Sequence, residues 1–391
     1  MEAIEFIPPY FYNLVYYLTF LILTWFTVLY YIGSGQQKIL HAESTPIQGA
    51  ALFLSLIVIY FLGLRQVSGE FGDTWMYAYD YWRIEPEYKA INIHTEWFWD
   101  NIRAFCKSSG FNTNEYFLLV EFFYVMGMFT CAMILMRKNL WIAMLFFFTA
   151  FSTYSFGTNG IRNGLSSSIM LVAISLLPEA GGKRVFSYLL MFLAVGIHRT
   201  AALPSAAAIA TLYLIKDTKW AIRFWIASIA LSLVAGSAIT QVFSSLGFDD
   251  RMSGYAVDAS QSGDAFSHTG FRWDFLLYSA FPVVMIWYVT RYRRFTDLTY
   301  TIVANTYLLC NAFWVMVIRA SFSNRFAYIS WFIYPVVMAY PLLRMNLWKD
   351  QDRRTSIILF LYSGFLFFMY FIYYFGTSQG FRGFDLYWWK R

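Results

Sequence analysis

Long apolar runs, separated by short polar segments, dominate the pattern of this chain. A helix needs roughly 20 apolar residues to cross a hydrocarbon core. Twelve such runs predict twelve membrane-crossing helices, at about residues 10–32, 47–64, 116–136, 140–156, 162–178, 184–198, 201–215, 219–240, 273–290, 298–318, 326–343 and 355–375. The pattern predicts an all-α polytopic membrane protein that forms a single integral membrane domain over residues 1–391.

The composition agrees with this fold class. Of the 391 residues 59% are hydrophobic, 22% are aromatic and only 13% are charged, about half the charged share of a soluble domain. This excludes a disordered chain, a coiled coil, a nucleic-acid-binding basic domain and a disulfide-stapled secreted module. The three cysteines form no metal-binding motif. The acidic segment before the first run predicts a retained helix rather than a cleaved signal peptide.

The charges of the connecting loops predict a topology. Loops after the odd-numbered predicted helices carry fifteen basic and six acidic residues, and the other side carries 14 basic and 17 acidic residues. Because basic loops stay in the cytoplasm, both termini are predicted to face outward. Two long extracytoplasmic segments follow, at residues 65–115 and 241–272. Loops of this length are usually functional.

A set of arginines departs from the positive-inside pattern. They lie at the outer ends of predicted helices, and they are Arg65, Arg162, Arg199, Arg272, Arg319 and Arg325. Arginine near membrane depth is costly unless it is paired or reaches water, and its guanidinium group suits phosphate oxygens. Each one could instead reach lipid headgroups or an outer acid. As a set, they predict a cavity that binds an anion.

Two of the predicted site residues lie in distinctive surroundings. Arg162 follows a glycine-rich turn at a predicted helix N-terminus, which favours an anion, although a plain turn is the alternative. His198 lies in a hairpin whose legs are too short to cross the hydrocarbon, so its turn should stop inside the protein. A recessed histidine can accept a hydroxyl proton, or it can simply bind a backbone carbonyl in packing.

The first long outer segment combines acids with aromatic rings. Asp73 and Glu96 lie among aromatic residues that include Tyr77 and Tyr81. Rings can cover the C–H face of a sugar while carboxylates accept its hydroxyl protons, but an interfacial aromatic belt is the alternative. No DxD-like motif occurs in the outer loops, so no metal is predicted.

Four stretches of this sequence resemble motifs of the EpsG/Wzy family of O-antigen and exopolysaccharide polymerases. The stretches are LRQVSGEFGDTWMYAYDYW (Arg65, Asp73, Tyr77, Tyr81), HTEWFWDNI (Glu96, Phe98), NGIRNGLSSSIMLVAISLL (Arg162) and KRVFSYLLMFLAVGIHRTAAL (Lys183, His198, Thr200, Ala201). A weaker match, SNRFAYISWFIYP, carries Arg325 and Tyr328. The sequence departs from the family pattern at Asn163, where Gln is usual, and at Ser166, where Ala is expected.

The resemblance implies a GT-C-like membrane glycosyltransferase architecture and a reaction. A growing glycan would pass from polyprenyl (undecaprenyl) diphosphate to the non-reducing end of an incoming lipid-linked repeat unit. The reaction would occur on the outer leaflet of a bacterial inner membrane, without a metal, cofactor or nucleotide sugar. The implied partners are polyprenyl-diphosphate-linked oligosaccharides, membrane lipids, a chain-length regulator and a flippase, and not nucleic acid.

These implications assign roles to the predicted site residues. A diphosphate leaving group gains negative charge in the transition state, where fixed cations stabilise it. Arg162 and Arg325 are predicted to hold the diphosphate, with Arg65, Arg272 and Arg319 as further ligands. His198 is the predicted base, or it orients the acceptor beside Arg199. Asp73 and Glu96 are predicted sugar contacts or alternative bases, and Tyr77 and Tyr81 are predicted sugar contacts.

Other classes of membrane protein stay open from the sequence. A flippase or transporter for the same lipid-linked sugar also suits twelve helices, and an O-antigen ligase shares the donor. A membrane acyltransferase is a further alternative. The unusual arginines gather on one predicted face together with two long loops, which favours an enzyme that works from one side.

Overall fold

The computed structural model describes residues 2–33, 39, 46–245, 271–319 and 323–368. Within these residues all regular structure is helical, which confirms the predicted all-α class. Its sixteen α-helices are Tyr12–Gly33 (α1), Pro46–Gly63 (α2), Thr74–Arg83 (α3), Trp97–Ser108 (α4), Thr113–Met136 (α5), Leu140–Phe148 (α6), Phe151–Thr158 (α7), Ile161–Leu176 (α8), Gly182–Ile197 (α9), Ala202–Tyr213 (α10), Thr218–Ser245 (α11), Trp273–Trp287 (α12), Leu298–Met316 (α13), Ser323–Trp331 (α14), Tyr334–Arg344 (α15) and Gln351–Phe367 (α16).

Several of these helices have the length and composition of membrane spans. Five segments in the described residues are long and apolar enough to cross a bilayer, namely Pro9–Gly33, Thr113–Phe148, Thr218–Gly236, Trp273–Tyr292 and Phe326–Arg344. Two shorter apolar helices are Gln48–Gly63 and Ile161–Leu176. The protein is therefore embedded in a membrane.

Two runs that the sequence predicts as single helices divide into two helices each, and a third, at 219–240, is kinked at Ala235. The run at 140–156 divides into α6 and α7, because the hydroxyls of Thr149 and Thr153 bond carbonyls of the preceding turn and Ala150 between the helices is extended. The run at 326–343 divides into α14 and α15, because Pro335 has no N–H to continue the helical ladder. Most of the second predicted outer segment, residues 246–270, lies outside the described residues.

The chain divides into two compact units. Unit 1 comprises residues 1–201 and 339–391, and unit 2 comprises residues 202–338. In unit 1, α5 packs against α2 and α8, and α8 packs against α9. A Cβ at Gly127 of α5 would lie 2.8 Å from the Cβ of Ser168 of α8, so the small residues permit this close approach. The hydroxyl of Ser166 also donates to the carbonyl of Ala194 on α9, at 2.8 Å.

A buried hydrogen-bond network joins the helices of unit 2. Asn311 of α13 accepts from the indole of Trp225 at 2.7 Å and donates to the hydroxyls of Ser279 and Ser330 at 3.1 and 2.9 Å. The indole of Trp331 donates to the same Ser279 hydroxyl at 2.8 Å. Because every member has a partner, the network fixes four helices in register.

The first predicted outer segment, residues 65–115, contains the short helices α3 and α4. Tyr81 of α3 stacks on Tyr116 of α5, with ring centroids 4.4 Å apart, and its hydroxyl donates to the Phe111 carbonyl at 2.8 Å. Asn112 and Glu115 form a capping box that starts α5. These contacts hold α3 against the core of unit 1 and leave the residues at the ends of α4 and α8 to form a site.

Candidate active site

Three ionisable side chains meet at helix ends within unit 1. Glu96 is the N-cap residue of α4, Arg162 is the second residue of α8, and His198 follows the last residue of α9. The 16 residues of α9 span about 24 Å, less than the hydrocarbon thickness of about 30 Å. His198 lies at the end of this short helix. There it contacts Glu96, which is 102 residues away in sequence.

Glu96 joins the other two side chains. Its Oε2 accepts a hydrogen bond from Nη1 of Arg162, and its Oε1 lies 2.7 Å from Nδ1 of His198. One carboxylate thus uses both oxygens to bind a guanidinium group and an imidazole ring. We call Glu96, Arg162 and His198 the bridged cluster.

The bridged cluster is partly buried but not closed off. The side chains of Arg162, Glu96 and His198 are 21%, 20% and 20% exposed. Reduced contact with water strengthens the interactions among these charges. The remaining exposure leaves part of each side chain at the surface of the protein.

Tyr77 borders the bridged cluster on the side of α3. Its hydroxyl lies 3.4 Å from Nε of Arg162, and the Arg162 guanidinium carbon lies 5.4 Å from the centre of its ring. The same ring contacts Trp99 edge-on, with centroids 6.2 Å apart. Tyr77 therefore supports one face of the guanidinium group.

A glycine lets α4 approach α9. A Cβ at Gly196 would lie 2.8 Å from the indole nitrogen of Trp97 and 3.0 Å from the Cβ of Phe98. Contacts this short would force the two helix ends apart. Because Glu96 precedes Trp97 and His198 follows two residues after Gly196, this close packing sets the distance between the acid and the imidazole.

The turn before Arg162 is held by backbone and side-chain bonds. The N–H of Gly160 donates to the Ser155 carbonyl at 2.9 Å, and the N–H of Gly164 donates to the Gly160 carbonyl at 2.8 Å. The side-chain carbonyl of Asn159 accepts from the N–H of Asp73 at 2.8 Å. This bond fixes the backbone of Asp73, one helical turn before Tyr77, against the start of α8.

Two predicted site residues of unit 1 lie apart from the bridged cluster. Arg65 is fully buried, and its Nη1 lies 3.5 Å from Oε1 of Glu121, which is 1% exposed. Tyr81 is also buried, with its hydroxyl bound to the backbone. Both side chains are engaged inside the protein rather than directed to an open cavity. Arg199 follows His198 directly and is half-buried.

The other predicted arginines belong to unit 2. Arg272 precedes α12 and forms two bonds to Asp274, at 3.0 and 2.6 Å. Its guanidinium carbon lies 3.7 Å from the centre of the Phe275 ring. Arg319 follows α13 and packs against Gly236 of α11. The side chain of Arg325 lies outside the described residues.

Three further residues organise this region and are not among the predicted site residues. Glu121 is an acid inside the apolar run of α5, and an intramembrane acid is a usable signal. Asn159 and Gly196 gave no such signal, because an amide in a turn and a glycine in a helix are both common. Among the described residues, no group of three or more His, Cys, Asp or Glu side chains could hold a metal ion.

Comparison with known proteins agrees with a helical membrane protein of polysaccharide synthesis. The model of the EpsG family matches residues 50–384, which is most of the chain. The protein belongs to the EpsG family. This family is associated with glycosyltransferase and polymerase activity, so the chain has a general role in polysaccharide polymerisation. No curated protein sequence and no solved structure matches the chain.

Proposed function

We propose that this protein extends a polysaccharide by transferring the growing glycan from polyprenyl diphosphate to the non-reducing end of an incoming lipid-linked repeat unit. The observation that carries the proposal is the bridged cluster, in which Glu96 binds both Arg162 and His198. It supplies a base and a cation at one place. Membership of the EpsG family supports the substrate class.

His198 is proposed as the base. A carboxylate that accepts a hydrogen bond from Nδ1 holds the neutral imidazole with its lone pair on Nε2. Glu96 stands in this position at 2.7 Å. The Nε2 atom can then accept the proton of the acceptor hydroxyl group, which is the arrangement that an acid and a histidine use in many transfer enzymes.

Arg162 is proposed to stabilise the leaving group. As the acceptor oxygen bonds to the anomeric carbon, the bond from that carbon to the diphosphate oxygen breaks, and its electron pair leaves with polyprenyl diphosphate. A guanidinium group has five N–H donors, and Glu96 takes one on Nη1. The Nη2 donors suit the diphosphate oxygens, whose growing charge they stabilise without reorganisation.

The remaining predicted residues take supporting roles in this proposal. Asp73 and Tyr77 are proposed sugar contacts beside the bridged cluster, and Arg199 a proposed acceptor contact. Arg272, Arg319 and Arg325 lie in unit 2 and stay predictions from the sequence as phosphate ligands, and Arg272 is already engaged by Asp274. The reaction is proposed to occur on the outer leaflet of a bacterial inner membrane and to need no metal. A GT-C-like arrangement of twelve crossings is part of the same proposal.

Extension of defined substrate by the purified protein tests this function. The protein, in lipid nanodiscs, is given a synthetic lipid-linked repeat unit and no other glycan acceptor. A polymerase produces a ladder of longer lipid-linked glycans and one polyprenyl diphosphate for each new linkage. A product formed only when lipid A core is added indicates a ligase and contradicts the proposal. Translocation of the substrate across vesicles without a ladder indicates a flippase and contradicts it as well.

A further inference from the structure

Arg65, which forms a buried ion pair with Glu121, connects two segments. One is α3, which carries Tyr77, and the other is the turn that leads to Arg162. Nη2 of Arg65 donates to the hydroxyl of Thr74 at 3.2 Å and to the carbonyl of Thr158 at 3.3 Å. Thr74 is the first residue of α3, and Thr158 is the last residue of α7. A single guanidinium group thus links the start of α3 to the end of α7.

The hydroxyl of Thr74 completes this link. It accepts from Arg65 and donates to the carbonyl of Thr158. All three residues are buried, with Arg65 and Thr74 at 0% exposure. Water therefore cannot replace a partner that is lost, and the three groups form a closed junction.

A second link joins the same two segments, between the residue before Thr74 and the residue after Thr158. The Asp73 N–H donates to Oδ1 of Asn159 at 2.8 Å. Gly72 has a φ of +61°, and a Cβ there would lie 2.5 Å from that same Oδ1 atom. Only glycine permits both this backbone conformation and this close approach. The Asp73 backbone is thus fixed beside the turn that leads to Arg162.

The ion pair needs an explanation beyond stability. A buried ion pair loses its hydration and commonly contributes no more than a pair of apolar side chains of similar size. Oε2 of Glu121 is also buried without a hydrogen bond in the described residues. The arginine is better explained by its bonds to Thr74 and Thr158, which two apolar side chains could not make.

From these contacts we infer that Arg65 is a positioning residue. With Thr74 as its relay, it sets the register of α3, which carries Tyr77, against the turn that begins α8, which carries Arg162. It acts through these residues and does not touch substrate. The junction itself is a feature of the fold. Only the statement that it positions residues of an active site rests on the proposed function.

A matched pair of substitutions at Thr74 tests the inference. Thr74→Val keeps the shape of the side chain and removes the hydroxyl, whereas Thr74→Ser keeps the hydroxyl. We expect Thr74→Val to raise hydrogen–deuterium exchange at least tenfold in the peptide that spans residues 69–77. We also expect kcat for glycan extension to fall about tenfold while the melting temperature stays within a few degrees. Thr74→Ser should keep both the exchange rate and the kcat of the unmodified protein.

A double substitution tests the ion pair itself. Arg65→Leu combined with Glu121→Leu removes both charges and leaves neither one buried alone. We expect a folded protein with the same faster exchange in residues 69–77 and unchanged exchange in α4. If this variant does not fold, the result from Thr74→Val decides.

The two readouts separate this inference from the proposed function. If exchange rises in the variants but even the unmodified protein fails to extend glycan, the junction stands and the proposed function fails. If the unmodified protein extends glycan, and Thr74→Val does so at the same rate with unchanged exchange, the inference is overturned and the proposed function stands. Faster exchange together with a lower extension rate in Thr74→Ser would also overturn the inference, because the loss of the hydroxyl would then not be the cause.

Discussion

Two Arg–Glu ion pairs in the described part of unit 1 have sharply different surroundings. Arg162 and Glu96 are about one fifth exposed, and Glu96 also binds His198. Arg65 and Glu121 are 0% and 1% exposed, and Arg65 also donates to a threonine hydroxyl and a backbone carbonyl. The same two residue types thus occur in a partly exposed pair, which under the proposed function offers charge to a ligand, and in a fully buried pair that joins two segments.

The two pairs should also differ energetically. A partly exposed pair is screened by solvent, so removing one member changes stability little. A buried pair that loses one member leaves an uncompensated charge. Substitutions in the exposed pair should therefore affect the reaction, and substitutions in the buried pair should affect folding and positioning.

The largest expected effect comes from the base of the bridged cluster. His198→Gln removes proton transfer and should lower kcat for glycan extension about 10³-fold, within the range typical of general bases. His94→Gln, in an exposed loop, is the matched control and should keep the rate. The measurement is the initial rate of ladder formation by purified protein. An unchanged rate in His198→Gln removes this residue from the mechanism.

Arg162 should give the next largest effect. Arg162→Ala removes a fixed cation and should lower kcat about 10²-fold, while Arg162→Lys keeps a charge without the planar fork and should recover part of the loss. Arg103→Ala is the control, because Arg103 also pairs with an acid and is 19% exposed, but it lies outside the bridged cluster. Equal losses in Arg162→Ala and Arg103→Ala would contradict a specific role for Arg162.

Substitutions at the two acids should differ in whether they change the free energy of unfolding or the rate of glycan extension. Glu121→Gln leaves Arg65 buried without a counter-charge and should destabilise the protein by about 3–5 kcal/mol. Glu96→Gln should destabilise it by less than about 1 kcal/mol and should act on the rate instead. Reversible unfolding in one detergent measures both changes. Similar destabilisation by the two substitutions would refute the contrast between the pairs.

Tyr77 should give the smallest effect. Tyr77→Phe keeps the ring but removes the hydroxyl that lies 3.4 Å from Arg162. Loss of one long hydrogen bond is worth about 0.5–1 kcal/mol, which corresponds to about a two- to fivefold lower rate. Tyr79→Phe, on the exposed side of α3, is the control. A hundredfold loss in Tyr77→Phe would assign the hydroxyl a direct chemical role instead.

The sequence predicted the helical class well because apolar periodicity and length decide it. The helix break at Ala150 was missed, since the hydroxyl bonds that end that helix depend on local geometry, whereas the break before Pro335 could have been predicted from the proline itself. The sequence also placed Arg65 and Arg162 in one set, because both are arginines near helix ends. Which of the two arginines is partly exposed depends on the packing around Glu121 and Gly196. A pattern of single residues does not encode such packing.

The most direct test of the bridged cluster is a double-substitution cycle between Glu96 and His198. Rates of glycan extension are measured for Glu96→Gln, His198→Gln and the protein that carries both. If Glu96 acts by holding the imidazole, the two substitutions are strongly non-additive, and the double variant should be about as slow as His198→Gln alone. A double variant slowed by the product of the two single effects would show that the residues act independently and would contradict the account.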